Sequence, residues 1–196
     1  EMTSSLVGSE MCIRDSLKLD LIYPEDGEGK TYPCIVWICG GAWQRMDKAA
    51  HLAYLGTLAQ EGFVVASVEY RTSNEGTHPM QLCDIKAAIR YLRAYAKRYR
   101  INSEKFGVMG ESAGGYLTCM AALDQDKKLD TGEYLEYSSQ VQAACPWYPP
   151  TDASHFPYDD VEKAAMSSES LLMGFNVMTH CLLYTSPSPR DSTSSR

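Results

Sequence analysis

Short apolar runs alternate with longer amphipathic stretches between residues 17 and 180, and each kind of segment predicts a different element. Apolar residues that alternate with polar ones indicate a strand with one buried face, as at the start of this region. Continuous apolar runs that end in glycine or proline indicate strands inside a sheet covered on both faces. On these patterns, strands are predicted at residues 17–21, 34–39, 63–68, 105–109 and 141–147.

Between these strands, apolar residues recur at steps of three and four and predict helices. The longest helix is expected from Pro79 to about Tyr99, with its basic residues away from the apolar stripe. Asp47 is expected to cap a helix that runs to about Gln60. Further helices are predicted at residues 112–123 and, from a weaker pattern, at 161–173. Alternating strands and helices predict an α/β fold with a mostly parallel sheet and helices on both faces.

The two ends of the chain differ from this interior. Residues 4–16 and 181–192 resemble translated sequencing-adapter read-through, and a natural Ser/Pro-rich tail is the alternative for the second stretch. We therefore expect residues 1–16 to be a non-native segment and residues 181–196 to be a non-native, disordered tail. The expected domain comprises residues 17–180.

Composition narrows the classes of function. A formal net charge of −7 argues against a nucleic-acid partner, and no apolar run long enough to span a membrane exists in the sequence. The seven cysteines form no C-x-x-C pair, and the four histidines are not at metal-ligand spacing to them, so we expect neither a disulfide framework nor a metal site. Unpaired cysteines and the lack of a secretory signal in residues 1–196 favour a cytoplasmic location. The chain begins at Glu1 and not at a methionine, so the lack of a signal holds only for residues 1–196.

A G-x-S-x-G pentapeptide at residues 110–114 carries the strongest chemical signal. It lies between a predicted strand and a predicted helix, where a nucleophile elbow requires it. Gly110 and Gly114 would let neighbouring backbones approach a strained turn. That turn would expose the Ser112 hydroxyl and place the Ala113 N–H at a helix N-terminus, where negative charge is favoured. An ordinary glycine-rich helix start is the alternative.

A second glycine-rich turn, at residues 39–43, follows the earlier buried strand. Backbone N–H groups on a tight loop can stabilise an oxyanion without reorganising, so Gly41 and Ala42 are the expected donors, with Ala113 opposite them. A Gly-Gly turn without a catalytic role is the alternative. No cofactor is expected.

With these motifs, residues 17–180 resemble an α/β-hydrolase of the esterase and lipase branch, close to bacterial feruloyl and acetylxylan esterase-like proteins. The resemblance implies Ser112 as the nucleophile and Gly41, Ala42 and Ala113 as oxyanion-hole donors. It also implies a small-molecule or carbohydrate ester as the substrate, with acetyl or feruloyl esters favoured. The matching segments are residues 37–43, 67–71, 84–93, 110–115 and 147–152.

The resemblance also shows what this chain is expected to lack. It implies a triad acid after the seventh strand and a histidine after the eighth, whereas the strand at 141–147 aligns with the sixth. We therefore expect both partners of Ser112 to be missing, and the activity of this chain to be weak or absent. The pair Asp152 and His155 is a less favoured alternative, and His180 stands at the junction with the tail.

Cys39 stands where the related esterases have a loop histidine, which puts the rigidity of that loop in question. Among the neighbouring residues, Trp43, Glu111, Trp147 and Tyr148 are candidates for the substrate pocket, although aromatic residues near strand ends are as often part of the core.

Other polar residues are expected to be structural. His51 and His78 are expected at the surface or at helix ends, and Arg71 in an internal ion pair. The basic residues of the longest helix are expected to form a solvated face: Arg90, Arg93, Lys97, Arg98 and Arg100.

Two other functions stay open. One is a serine peptidase of the prolyl-oligopeptidase type, which shares the elbow, and the other is a non-catalytic α/β-hydrolase fragment. The sequence does not predict an oligomeric state.

Overall fold

The computed structural model describes residues 5–9, 17–25, 29–124, 127–152 and 160–179, the first range by its backbone. The strands of the described residues are β1 (Ser5–Ser9), β2 (Leu19–Tyr23), β3 (Tyr32–Ile38), β4 (Val64–Val68), β5 (Ile101–Glu111) and β6 (Ala143–Trp147). The helices are α1 (Leu52–Gln60), α2 (Met80–Ala94), α3 (Ala113–Leu123), α4 (Val161–Ala165) and α5 (Ser168–Met173), with a 3₁₀ turn at Lys127–Leu129. No helix in the described part of the chain is long and apolar enough to cross a membrane.

The described strands form one mixed sheet in the order β1-β2-β4-β3-β5-β6. Strand β2 is antiparallel to β1 and β4, whereas β4, β3, β5 and β6 run parallel. Helices α1, α2 and α3 connect successive parallel strands, as parallel pairing requires. The predicted α/β architecture with a mostly parallel sheet is therefore confirmed.

Alternating side chains of β3 divide the core between the two faces of the sheet. Val36 and Ile38 pack in the larger apolar cluster with Leu82 of α2 and other residues of α2 and α3. Trp37 points to the opposite face and packs in the smaller cluster with Leu55 of α1. Both faces therefore carry helices, and the loops at the carboxyl ends of β3 and β5 meet at one edge of the sheet.

Several element boundaries differ from the sequence prediction. Helix α1 begins at Leu52, because the Asp47 carboxylate accepts a hydrogen bond from the Ala49 N–H in a local turn and caps no helix. Helix α2 ends at Ala94, and the chain continues to residue 100 as turns. The weak helical pattern near the C-terminal end divides into α4 and α5, since Ser167 caps a new helix between them.

The expected solvated basic face is wrong for Arg90 and Arg93. Arg90 is fully buried and donates to Asp130 and to the carbonyl oxygens of Thr131 and Glu133. The Arg93 guanidinium lies over the Phe106 ring and donates to backbone carbonyls of the same connection. The long polar connection before β6 has carbonyls without ladder partners, and these two guanidinium groups satisfy several of them.

Arg71 forms the expected internal ion pair. Its guanidinium donates two hydrogen bonds to Asp84, at 2.8 and 2.6 Å, and its backbone N–H donates a third. These hydrogen bonds raise the pKa of Arg71 further above its ordinary value. The Arg71–Asp84 ion pair connects the loop after β4 to α2.

Candidate active site

Ser112 occupies the sharp turn between β5 and α3. Its backbone has φ 49° and ψ −118°, a conformation that non-glycine residues rarely adopt and that persists only where the surroundings hold it. The Ser112 N–H donates to the carbonyl of Trp147 at 3.0 Å, and the Tyr116 N–H donates to the carbonyl of Ser112 at 2.9 Å. The strand–turn–helix context expected for the pentapeptide is therefore present, with the serine at its apex.

The glycines two positions before and after Ser112 permit a very close backbone approach. A methyl group at Gly110 would lie 2.5 Å from the carbonyl oxygen of Ile38, and one at Gly114 would lie 2.0 Å from the same atom. Both distances are far shorter than a carbon–oxygen contact allows. The elbow therefore packs directly on the end of β3, where the second glycine-rich turn begins.

That turn folds against the elbow through three consecutive residues with positive φ. Gly41, Ala42 and Trp43 have φ of 132°, 53° and 57°, and the carbonyl of Gly41 accepts from the N–H groups of the two residues after Trp43. A methyl group at Gly40 would lie 3.3 Å from the Ser112 Cβ. The loop that holds the expected oxyanion donors is thus in contact with the nucleophile turn.

The loop also has a hydrogen bond at its first residue. The buried Tyr70 hydroxyl donates to the carbonyl of Cys39 at 2.9 Å. Burial raises the pKa of the Cys39 thiol above its ordinary value, and thus favours the neutral form. A neutral thiol is a weak hydrogen-bond donor, so the side chain of Cys39 contributes apolar packing in the core, and the hydrogen bond from Tyr70 is made to its backbone.

A cavity of about 370 Å³ opens at this edge of the sheet. Ser112 and Ala113 line it together with Ala42 and Trp43 of the loop and with Tyr148. The structure therefore brings together most of the residues that the sequence singled out. The remaining lining residues come from the segment after β6 and from α5: Pro149, Pro150, Ser168 and Glu169.

Two of the candidate pocket residues, Trp147 and Glu111, do not line this cavity. The Trp147 ring packs edge-to-face on Trp37 and Tyr54, with centroids 5.6 and 5.8 Å apart, and only its carbonyl reaches Ser112. Trp43, which does line the cavity, is nearly fully buried and packs perpendicular to Tyr116 of α3. Its ring forms the cavity wall from within the core.

The Glu111 carboxylate makes hydrogen bonds behind the elbow. His51 Nε2 lies 2.8 Å from Glu111 Oε1, and the Tyr148 hydroxyl donates to Oε2. Although burial raises the pKa of this carboxyl, the bonds from Tyr148 and His51 outweigh that effect and hold it below the ordinary value. The bond to Glu111 raises the pKa of Tyr148.

The histidines of the described residues lie away from the Ser112 hydroxyl. His51 directly precedes α1, at the expected helix end, and bonds to Glu111. His78 is half-buried before α2 and packs on the Tyr116 ring, and burial lowers its pKa. Within the described ranges, no side chain hydrogen-bonds to the Ser112 hydroxyl. Asp152 lies in the segment after β6, whereas His155 and His180 lie outside the described residues.

Sequence reasoning missed Ser168 and Glu169. Glu169 is nearly buried, yet it lines the cavity that contains Ser112. Ser167, followed by an acidic residue in the next turn, is a signal for a helix start, and it could have located α5. No local pattern connects that helix to an elbow more than 50 residues earlier.

The strand order, the elbow at Ser112 and the adjoining glycine-rich loop define an α/β-hydrolase. The chain belongs to the BD-FAE family, whose model matches residues 19–193. It superposes with a TM-score of 0.81 and 29% identity on a bifunctional GH43-CE protein of Bacteroides eggerthii, covering 94% of this chain and 26% of that one. A truncated carbohydrate esterase from gut microbiota gives a TM-score of 0.77 and 29% identity, covering 88% of this chain and 66% of that one.

Similar curated proteins include the probable carboxylic ester hydrolase LipM of Mycobacterium tuberculosis, which is 34% identical over 121 residues. That match covers 60% of this chain and 28% of the mycobacterial protein. The chain thus spans less than a third of the length of this relative.

Proposed function

We propose that this chain carries the nucleophile of a serine hydrolase of carboxylic esters. The observation that carries the proposal is the position of Ser112, which stands at a strained elbow in the wall of a cavity shared with Ala42 and Ala113. Esterase and carbohydrate esterase names among the similar proteins support the same reaction class.

In the proposed reaction, the Ser112 Oγ attacks the ester carbonyl carbon and loses its proton to a general base. The carbonyl oxygen becomes an oxyanion, which the N–H groups of Gly41, Ala42 and Ala113 stabilise. The C–O bond to the alcohol then breaks, and the alcohol leaves with a proton, which yields an acyl-enzyme. Water attacks that acyl group and releases the acid, and Ser112 regains its proton.

The base and its carboxylate partner belong to the proposal as well. In this fold they follow the nucleophile in the order Asp or Glu and then His. We expect them later along the chain than Asp152. His51 precedes Ser112 and already bonds to Glu111, so the geometry favours no role for it as the base.

We propose an ester of a hydroxyl-rich alcohol, such as an acetylated or feruloylated carbohydrate, as the substrate. The cavity presents the Glu169 carboxylate and the Ser168 hydroxyl, which can accept hydrogen bonds from sugar hydroxyls, beside the Trp43 ring and two prolines. Two similar structures carry carbohydrate esterase or CE in their names.

The test is stoichiometric labelling of Ser112 by a fluorophosphonate, followed by intact-mass spectrometry. We expect one adduct per chain that is lost in Ser112→Ala and kept in Ser103→Ala, since Ser103 lies on β5 and outside the cavity. In turnover assays, p-nitrophenyl acetate and feruloylated sugars should be hydrolysed faster than a peptide amide. Labelling that persists in Ser112→Ala would contradict the assignment, and faster amide cleavage would favour the peptidase.

A further inference from the structure

We propose that Glu111 is a positioning residue, whose carboxylate holds the oxyanion loop and Tyr148 in register with the Ser112 elbow. The inference rests on the proposed function, since it assigns a role within that site. It concerns a residue that does not line the cavity and therefore acts through its neighbours.

The first observation is that the Glu111 carboxylate links segments that are distant along the chain. Its Oε1 lies 2.8 Å from Nε2 of His51, 60 residues away at the start of α1. Its Oε2 accepts from the hydroxyl of Tyr148, 37 residues away and just beyond β6. With the His51 ring protonated at Nε2, both oxygens accept a hydrogen bond, and the carboxylate connects three parts of the fold.

The second observation is the contact with the oxyanion loop. The Gly40 backbone packs against Glu111, close enough to help hold the pKa of its carboxyl below the ordinary value. A methyl group at Gly40 would lie 3.1 Å from the carbonyl oxygen of Glu111 and 3.3 Å from the Ser112 Cβ. The residue just before the proposed donors Gly41 and Ala42 is therefore held between the Glu111 carboxylate and the elbow.

The third observation concerns the other supports of this loop. Cys39 offers a neutral thiol, a weak donor, and the Tyr70 hydroxyl holds only the carbonyl of Cys39. Gly41, Ala42 and Trp43 have positive φ, so their backbone conformation needs external support. The Ser73 N–H supplies part of it at the far end, by donating to the carbonyl of Trp43 at 2.7 Å. An ionised carboxylate makes stronger hydrogen bonds than a neutral group, and the Glu111 carboxylate makes them to His51 and Tyr148 while the same residue packs on the first loop glycine.

Tyr148 connects the same carboxylate to the cavity. It is exposed and has φ of 36°, yet its hydroxyl is bonded to Glu111 and its residue lines the cavity beside Ser112. The bond connects this wall of the cavity to the residue that directly precedes the elbow serine. Loss of the carboxylate would release the loop on one side of Ser112 and Tyr148 on the other.

The test compares Glu111→Gln with Glu104→Gln, an exposed glutamate on the same strand, in the 196-residue chain. Hydrogen–deuterium exchange is followed in peptides that cover residues 39–46 and 148–151. We expect exchange at least about tenfold faster in both peptides of Glu111→Gln, with α2 unchanged, since the charged hydrogen bonds would be weakened. Glu104→Gln should match the unaltered chain.

The second measurement is the rate at which a fluorophosphonate labels Ser112 at saturating and at limiting concentration. Because misplaced donors act on the transition state, Glu111→Gln should lower the saturating rate about 10- to 100-fold and leave the half-saturation concentration within about twofold. Tyr148→Phe removes one of the bonds, folds with an exposed side chain, and should show a smaller effect in the same direction.

Two results would overturn the proposal. One is loop exchange in Glu111→Gln equal to that of Glu104→Gln. The other is a general loss of protection with an unchanged labelling rate per folded molecule, which a purely structural role would produce. If the unaltered chain is not labelled at all, Ser112 is not activated in these 196 residues, and the exchange data alone decide whether Glu111 holds the loop. If Glu111→Gln does not fold, Tyr148→Phe decides both measurements.

Discussion

The close approach of Gly114 to the end of β3 makes Gly114→Ala the most discriminating substitution. Its methyl group would lie 2.0 Å from the carbonyl oxygen of Ile38 and 2.7 Å from that of Cys39, both backbone atoms that cannot rotate away. Cβ atoms essentially never come within 3.0 Å of such a neighbour, so α3 and β3 must separate by about 1 Å. Overpacking of this kind costs about 1–3 kcal/mol of the free energy of unfolding.

The same displacement would also change the distance between the proposed nucleophile and the proposed oxyanion donors of the loop. Cys39 directly precedes the glycine pair of the loop, and Gly114 follows Ser112 by two positions. The added methyl group would therefore shift the loop relative to the turn that holds Ser112. A misplacement of about 1 Å can reduce the rate about 100-fold. We therefore expect Gly114→Ala to lower the fluorophosphonate labelling rate of Ser112 about 100-fold, in molecules that remain folded.

The assay combines urea denaturation with labelling, and Gly107→Ala is the matched control. Gly107 lies on β5, and a methyl group there would meet the carbonyl oxygen of Ala143 at 3.6 Å, an ordinary contact. Gly107→Ala should therefore change the stability little and leave labelling unaffected. Equal stability and equal labelling rates in the two variants would refute the argument that the elbow must pack on bare backbone.

Two further predictions follow from charged groups. Arg90→Ala should lower the free energy of unfolding by about 1–3 kcal/mol, because the carbonyls of Thr131 and Glu133 lose their buried donor, while Asp130 keeps Lys86 and Ser139 as partners. The exposed Arg98→Ala should stay within about 0.5 kcal/mol, and equal urea midpoints would contradict this account. The pKa of Glu111 is lower in the folded state than its ordinary value of 4.5, so its contribution to stability is fully present above that value. That contribution is lost as the pH falls through the folded-state pKa. The stability difference between the unaltered chain and Glu111→Gln should hence be constant near neutral pH and shrink on acidification, whereas a pH-independent difference would exclude an electrostatic role.

Much of the fold was predictable because its signals are local. Two patterns are typical of buried strands: the apolar run at residues 34–39 and the valine-rich run at residues 63–68. Their alternation with helices predicts a parallel sheet. The elbow was equally predictable, because its glycines are needed within two residues of Ser112. The start of α1 and the end of α2 were less predictable. Local hydrogen bonds at Asp47 and in the turns after Ala94 compete with the helix and set these two boundaries.

The candidate site was predictable only in part. Ser112, Ala42, Ala113, Trp43 and Tyr148 meet in the cavity, as the motifs indicated, whereas Trp147 turns to the other face of the sheet. Sequence alternation could not place Trp147, because the rotation of a residue at the end of a strand depends on the bend that follows it. The catalytic acid and base stay a prediction.

By itself, the sequence determined the class of fold and the position of the proposed nucleophile, since periodicity and a five-residue turn are properties of neighbouring residues. Only the tertiary structure decided which distant groups act on that turn. Arg90 is a buried hydrogen-bond donor, and Glu169 lines the cavity. Glu111 contacts His51, Gly40 and Tyr148, which are distant along the chain. The physical reason is that burial and hydrogen bonding depend on which segments the sheet brings together. No local sequence pattern predicts these contacts between distant segments.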